Sequence, residues 1–141
     1  MMMATEILLV EDNEGDVEMT RRAIKRAGLS CRVSVAGNGE QALEFLRRQG
    51  RYENEARPAL ILLDINMPRM DGKVFLSVIK ADEDLRTIPV VMFTSSESEK
   101  DVRDCYERHA SAYVVKPFDG TRYAEAVREI VRFWTEIAQL P

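Results

Sequence analysis

The sequence predicts one α/β domain built around a parallel β-sheet. Short apolar runs alternate with stretches of helical periodicity from one end of the chain to the other. Strict alternation of this kind is typical of parallel strands joined by right-handed helical crossovers. The chain has 141 residues, which is enough for one domain to bury a core without disulfides or metal ions.

Five strands and five helices follow from these patterns, giving five βα units. The predicted strands are residues 5–10, 31–36, 59–63, 89–93 and 111–115. The predicted helices are residues 16–28, 39–48, 72–82, 98–109 and 119–139. Asn13 and Asn38 are the expected N-caps of the first two helices, and Gly28 is expected to end the first.

The apolar content of each strand predicts the strand order. The first, third and fourth strands are near-continuous apolar runs, as is typical of strands buried on both faces. The second, CRVSVA, alternates between apolar and polar residues and is therefore expected at an edge. A flavodoxin-like, doubly wound sheet of order 2-1-3-4-5 satisfies both observations. This order places the carboxyl ends of the first and third strands side by side, where such sheets bind ligands.

Composition excludes several classes of function. The formal net charge is -4, and the basic residues are interleaved with acidic ones, which argues against a nucleic-acid partner. Glu6, Glu11 and Asp12 interrupt the apolar start of the chain before a signal or membrane segment is complete. The protein is therefore expected to remain in the cytoplasm and off the membrane.

Carboxylates collect where the central strands end. Glu11 and Asp12 follow the first strand, and Asp64 follows the third within LILLDINMPRMDG. Their mutual repulsion in a crevice is unfavourable unless a cation neutralises it. The donor atoms are all oxygens, which suits Mg²⁺. The backbone carbonyl of Asn66, in the turn after Asp64, is a further candidate ligand.

The neighbouring strands end in groups of complementary chemistry. Thr94, followed by two serines, ends the fourth strand, and Lys116 ends the fifth. A metal ion, a carboxylate nucleophile, a hydroxyl donor and an ammonium group are what phosphoryl transfer requires. Taken singly, such residues are more often turn formers or solvated charges. Together they indicate that Asp64 attacks phosphorus, with Thr94 and Lys116 as catalytic partners.

From Glu6 to about Trp134 the chain resembles the receiver domain of bacterial two-component response regulators. The resemblance is carried by the motifs ILLVEDN, LILLDINMPRMDG, PVVMFTSS and AYVVKPF. It implies that Asp64 accepts a phosphoryl group from a sensor histidine kinase. It also implies that Asp12 and Asp64 ligate Mg²⁺ and that Glu11 assists through water. Such a protein is a signalling phosphoacceptor that catalyses only its own phosphotransfer and dephosphorylation.

The resemblance also implies roles for the fourth and fifth strands. Lys116 would pair with the phosphoryl oxygens, positioned by a cis bond to Pro117. Thr94 would move to hydrogen-bond the phosphoryl group. Tyr113 would then turn inward into the space that Thr94 leaves. Phosphorylation would thereby alter a protein-binding surface.

The chain is expected to be a single receiver domain over residues 1–141 with no output domain, so that the signal leaves through a surface. The last predicted helix is apolar over a wider arc than a one-sided surface helix needs. We expect it to form a homodimer or partner surface together with the fifth strand and the fourth helix. This surface contains Phe133, Trp134, Ile137 and Leu140. The alternative is that the helix covers more of the core than usual.

The first helix offers a second surface. Met19 and Arg22, with Ala23 and Arg26, are predicted to form an outward strip near Asp64, suited to docking on a kinase helix bundle. A solvated helix face explains the strip equally well. The segments RYENEARP and RFW further resemble the stand-alone receivers that partner phytochrome-type kinases.

Two other functions compete with this interpretation. Phosphatases of the haloacid dehalogenase type also use a strand-end Asp, Mg²⁺, a hydroxyl and a Lys. They need a second Asp two residues after the nucleophile, where this chain has Asn66, and the chain has no room for a capping domain. A receiver-like scaffold that binds partners without phosphorylation is the other alternative.

Overall fold

The computed structural model describes residues 4–141 and contains one five-stranded parallel sheet of order β2-β1-β3-β4-β5. The predicted strand order is confirmed. The strands are β1 (Thr5–Val10), β2 (Cys31–Ala36), β3 (Leu60–Leu63), β4 (Val90–Thr94) and β5 (Ala112–Val115). The α-helices are α1 (Glu14–Arg26), α2 (Gly39–Leu46), α3 (Gly72–Ala81), α4 (Glu99–Glu107) and α5 (Gly120–Arg132).

Two hydrophobic clusters cover the two faces of the sheet. One lies beneath α2, α3 and α4, and the other lies beneath α1 and α5. Successive residues of β1 and β3 contribute to opposite clusters, so both faces of these strands are buried. This arrangement explains why the two strands are continuous apolar runs.

The register aligns the carboxyl ends of the central strands. Val10 of β1 lies opposite Leu63 of β3, and the amide of Asp64 donates to the carbonyl of Val10 at 3.1 Å. On the other side, the amide of Lys116 donates to the carbonyl of Thr94 at 2.7 Å. Backbone hydrogen bonds therefore hold the polar residues that follow these strands side by side at the carboxyl ends of the strands.

The predicted caps of the first two helices are confirmed. The side chain of Asn13 accepts from the amide of Asp16, and that of Asn38 accepts from the amide of Gln41, each at 2.9 Å. The helix α1 ends at Arg26, and Gly28 adopts a φ of 69°. That left-handed conformation favours glycine and ends the helix.

The predicted single helix over residues 119–139 is wrong in its last part. The α-helix ends at Arg132 and is followed by a π-helical turn, Phe133–Ile137. The amide of Ala138 donates to the carbonyl of Phe133, five residues earlier, at 2.7 Å. The hydroxyl of Thr135 donates to the carbonyl of Val131 at 2.7 Å. A side chain that bonds to the helix backbone in this way disrupts the regular ladder.

The predicted outward position of Ala23 is also wrong. Ala23 is buried, because α1 packs against α5 as well as against the sheet. Within residues 4–141, every helix is too short or too polar to cross a lipid bilayer.

A glycine allows α3 to begin directly against the end of β3. A Cβ atom added to Gly72 would lie 2.1 Å from the carbonyl oxygen of Asp64 and 2.9 Å from the Cα of Ile65. The amide of Gly72 also donates to the carbonyl of Ile65 at 2.8 Å. The backbone on which Asp64 is mounted is therefore packed against a position that only glycine fits.

We expect the substitution Gly72→Ala to lower the free energy of unfolding by about 3 kcal/mol, because the added methyl group overlaps backbone atoms that cannot move aside. Urea unfolding measures the change. The control is Gly120→Ala in the first turn of α5, where an added Cβ meets no described heavy atom within 4 Å. It should change stability by less than about 1 kcal/mol. Equal stabilities of the two variants would contradict the prediction.

Candidate functional site

Three carboxylates meet at the carboxyl ends of β1 and β3. Glu11 and Asp64 are buried, and Asp12 is exposed. One oxygen from each lies within 4.8 Å of the other two. An all-oxygen, anionic set of this size fits a divalent cation that keeps part of its water shell. Asn66 is exposed in the turn that follows.

The ammonium group of Lys116 lies among these carboxylates. Its side chain is 5% exposed. The Nζ atom donates to Glu11 Oε1, to Asp16 Oδ2 at 2.8 Å and to Asp64 Oδ2 at 3.2 Å. All three protons of the ammonium group are thus directed at carboxylate oxygens. The ends of β1, β3 and β5 and the first turn of α1 are joined through this one nitrogen.

Burial and charge shift the pKa values of this cluster. The pKa of Glu11 is raised to about 7, first because burial disfavours its charged form and further because of the charge of Asp64, although Lys116 opposes the shift. Burial alone would lower the pKa of Lys116, but hydrogen bonds to Asp16 and Glu11 outweigh it and raise that pKa. Lys116 is therefore cationic near neutral pH, whereas Glu11 is only partly ionised.

Asp64 is held in one orientation by its two oxygens. Oδ1 accepts from the amide of Ile65 at 2.8 Å, and Oδ2 accepts from Lys116. A carboxylate fixed at both oxygens loses little further freedom when it reacts. The side chain is thereby preorganised for attack on an electrophile that enters the crevice.

Thr94 and Tyr113 lie on the neighbouring strands. Thr94 ends β4 and is fully buried, and its hydroxyl accepts a long hydrogen bond of 3.4 Å from the amide of Ser96. The phenol of Tyr113, on β5, donates to the carbonyl of Ser96 at 2.9 Å. Both side chains therefore contact the loop after β4, and a movement of that loop affects them together.

The predicted cis bond between Lys116 and Pro117 is wrong. Every peptide bond in residues 4–141 is trans, including this one. The trans form is the more stable isomer for most bonds to proline, by about 0.5–1 kcal/mol. Lys116 reaches its three carboxylate partners from the trans conformation.

Two groups of residues at or near the site were not identified from the sequence. The first is Asp16, which contacts Lys116. The second is a set of ion pairs between α3 and α4, in which Lys73 Nζ lies 2.5 Å from Asp101 Oδ1 and 2.9 Å from Asp104 Oδ2. Ser96 donates to Asp101 at 2.6 Å and so joins the loop after β4 to this set. The spacing of the two aspartates places them on one face of α4, but it does not reveal their partner.

The two predicted interaction surfaces differ in exposure. On α1, Met19 is 37% exposed, and Arg22 is exposed and paired with Glu18 at 3.1 Å. At the C-terminal end, Phe133 and Ile137 are 47% and 64% exposed. Trp134 and Leu140 are half-buried, and Trp134 packs against the cluster beneath α1 and α5.

The chain is similar in sequence to a known protein family and to known proteins. The family model described as the response regulator receiver domain matches residues 7–128. Over 135 residues the chain is 40% identical to the response regulator Rcp1 of Synechocystis sp., covering 96% of this chain and 92% of Rcp1.

Two solved structures are closely similar. The phosphorylated cyanobacterial phytochrome response regulator RcpA superimposes with a TM-score of 0.94 at 36% identity, covering 98% of this chain and 99% of RcpA. The Mn²⁺-bound form of Rcp1 superimposes with a TM-score of 0.91 at 39% identity, covering 97% of this chain and 99% of that one.

The raised pKa of Glu11 predicts a pH-dependent effect of Glu11→Gln on stability in the absence of divalent metal. The folded-state pKa of about 7 lies above the ordinary value of 4.5. Protonated Glu11 therefore stabilises the fold below about pH 4.5, and this stabilisation is lost as the pH rises through about 7. Gln resembles the protonated form, so the variant should match the wild type at pH 4 and be more stable by about 3 kcal/mol at pH 8.5.

Urea unfolding in the presence of a chelator measures the difference at both pH values. Glu14→Gln, which removes an exposed carboxylate from the next turn of chain, is the control and should show no such divergence. A Glu11→Gln variant that is less stable than the wild type at pH 8.5 would mean that the ion pair with Lys116 outweighs burial.

Proposed function

This chain belongs to the response regulator receiver domain family, and we propose that it is a stand-alone receiver whose phosphoryl acceptor is Asp64. The proposal rests chiefly on one observation, the contact of the Lys116 ammonium group with Asp64 inside a cluster of carboxylates. The family is one of signalling proteins. Coverage of 92% of Rcp1 and 99% of RcpA supports the stand-alone form.

In the proposed reaction, a phosphohistidine on a sensor kinase presents its phosphorus to Asp64. The Oδ atom of Asp64 that forms the new bond to phosphorus is fixed in position before the reaction. The phosphorus–nitrogen bond breaks, and the histidine leaves with its electron pair and takes up a proton. Lys116 then lies beside the new phosphoryl oxygens and balances part of their charge.

The metal in this proposal is Mg²⁺, held by Asp12 and Asp64, with Glu11 assisting through water and the carbonyl of Asn66 as a further ligand. When bound, the ion would neutralise the phosphoryl oxygens. The Mn²⁺-bound form of Rcp1 supports a divalent ion in a related receiver. The carboxylates of this chain supply the charge that attracts such an ion and, in its absence, repel one another.

Thr94 and Tyr113 are the proposed switch. Thr94 would donate its hydroxyl to the phosphoryl group, and its present hydrogen bond of 3.4 Å is weak enough to be exchanged. Tyr113 is already joined to the loop after β4 through the carbonyl of Ser96. A shift of Thr94 toward Asp64 would therefore be transmitted through this loop to Tyr113 on the edge strand β5.

We propose a sensor histidine kinase of the phytochrome type as the donor. The similarity to the cyanobacterial phytochrome response regulator RcpA supports this choice. Met19 and Arg22, exposed on α1, are the residues proposed to contact the kinase.

We further propose that the chain forms a homodimer through the C-terminal surface of Phe133, Trp134, Ile137 and Leu140. Phe133 and Ile137 lie four residues apart and are both exposed. The ring of Phe133 packs edge-on against Trp134 at a centroid distance of 5.3 Å. A symmetric contact would bury two copies of this surface at once.

The acceptor is tested by phosphorylation with phosphoramidate and Mg²⁺, followed by intact-mass spectrometry. The wild type should gain one phosphoryl group that hydroxylamine removes, as expected for an acyl phosphate. Asp64→Asn should gain none. Asp12→Asn should react at least about tenfold more slowly, because the metal site loses a ligand. A chelator should have a similar effect on the wild type.

Glu97→Gln removes an exposed carboxylate at the mouth of the crevice and is the control, expected to react as the wild type does. Full labelling of Asp64→Asn would refute the assignment. An unlabelled wild type would favour a scaffold that works without phosphorylation. Continuous release of phosphate from a phosphate ester would favour a phosphatase.

The dimer is tested by sedimentation of the wild type, Phe133→Asp and Leu140→Asp, each with and without phosphorylation. We expect the wild type to dimerise and each variant to weaken association by at least about tenfold, since burial of one such side chain contributes roughly 1.5–3 kcal/mol. Val74→Asp places the same charge on an exposed apolar residue of α3 and should leave the dimer intact. A wild type that is monomeric in both states would contradict the proposal.

A further inference from the structure

We propose that Asp16 is a positioning residue for phosphoryl transfer, acting as the anchor that holds the Lys116 ammonium group beside Asp64. The inference rests on the proposed function, because it concerns the same reaction. It assigns a role to a carboxylate that lies outside the cluster of three carboxylates at the strand ends.

The geometry of the contact supports this role. Lys116 Nζ lies 2.8 Å from Asp16 Oδ2, compared with 3.2 Å from Asp64 Oδ2. The side chain of Asp16 is 22% exposed and that of Lys116 is 5% exposed. A charge-assisted hydrogen bond this short and this shielded from water is among the stronger kinds in proteins.

Asp16 is itself fixed from two directions. Its amide donates to the side chain of Asn13, the N-cap of α1, at 2.9 Å. Its carbonyl accepts from the phenol of Tyr123 on α5 at 3.3 Å, and that phenol also pairs with Thr20 at 3.0 Å. The turn that carries Asp16 is therefore attached to a neighbouring helix, as an anchoring group requires.

The three partners of Lys116 have different fates in the reaction. Glu11 and Asp64 belong to the set that could hold a cation, and Asp64 also becomes the acceptor. When the oxygens of Glu11 and Asp64 bind the cation or the phosphoryl group, Asp16 is the contacting carboxylate that remains available to hold Lys116. A lysine side chain is long and flexible, so an anchor of this kind spares it the loss of rotamer freedom when the phosphoryl group arrives.

The test compares single-turnover phosphorylation by phosphoramidate and Mg²⁺ in the full chain. Asp16→Ala should reduce the rate at saturating donor about tenfold. Asp16→Asn should fall between the wild type and Asp16→Ala, because its amide oxygen can accept the same hydrogen bond without the charge. Mg²⁺ affinity, measured by titration of the unphosphorylated protein, should change less than about twofold.

The matched control is Glu14→Ala. Glu14 is an acidic residue of the same first turn of α1, is exposed, and makes no side-chain hydrogen bond or ion pair within residues 4–141. Loss of its charge affects the helix terminus much as loss of Asp16 does. The phosphorylation rate of Glu14→Ala should equal that of the wild type.

A double-mutant cycle separates positioning from a structural role. In a Lys116→Ala background, Asp16→Ala should cause no further loss of rate, because the group that it anchors is gone. A further tenfold loss in that background would overturn the inference. So would an unchanged rate in both single variants, or a loss of rate that follows a loss of Mg²⁺ affinity. A wild type that is not phosphorylated overturns the proposed function itself, and the inference falls with it.

Discussion

The Lys116 ammonium group is the point on which the arrangement of the crevice depends. It contacts three carboxylates that come from the end of β1, the first turn of α1 and the end of β3. Without a cation, these acidic groups would repel one another in a partly desolvated space. One buried positive charge offsets that repulsion and holds the Asp64 side chain in its orientation. The same nitrogen ties together elements that are distant in sequence.

The backbone makes this concentration of charge possible. Parallel pairing brings the ends of β1 and β3 level, and Gly72 allows α3 to begin against the carbonyl of Asp64. The strands β3 and β4 are buried along their whole length. The polar residues that follow them are therefore excluded from the apolar core and lie in the crevice. Main-chain hydrogen bonds thus determine where the backbone of each charged residue lies, and the side chains meet in the space between the strand ends.

The sequence was enough to predict the strands and the meeting of Glu11, Asp12 and Asp64 at the strand ends, and the reason is physical. Strands buried on both faces have continuous apolar runs. A carboxylate directly after such a run must therefore lie just beyond the carboxyl end of the strand. The contact between Asp16 and Lys116 spans 100 residues, and an acidic residue in the first turn of a helix is equally explained by the helix dipole. The end of α5 was missed because the apolar pattern continues unchanged past Arg132, while a hydroxyl bond from Thr135 alters the backbone.

The helix α4 is attached to the domain in a different way from the other helices. Cys105 is its one buried residue, and several polar contacts join it to the rest of the domain. Lys73 pairs with Asp101 and Asp104, Ser96 donates to Asp101, and the phenol of Tyr106 accepts from the amide of Tyr113 at 3.1 Å. Hydrogen bonds of this kind are directional and weaken steeply when their geometry changes, whereas a buried apolar contact is non-directional. Because Ser96 donates to Asp101 and its carbonyl accepts from Tyr113, a displacement of this loop would be transmitted to α4 and β5 through hydrogen bonds rather than through the apolar core.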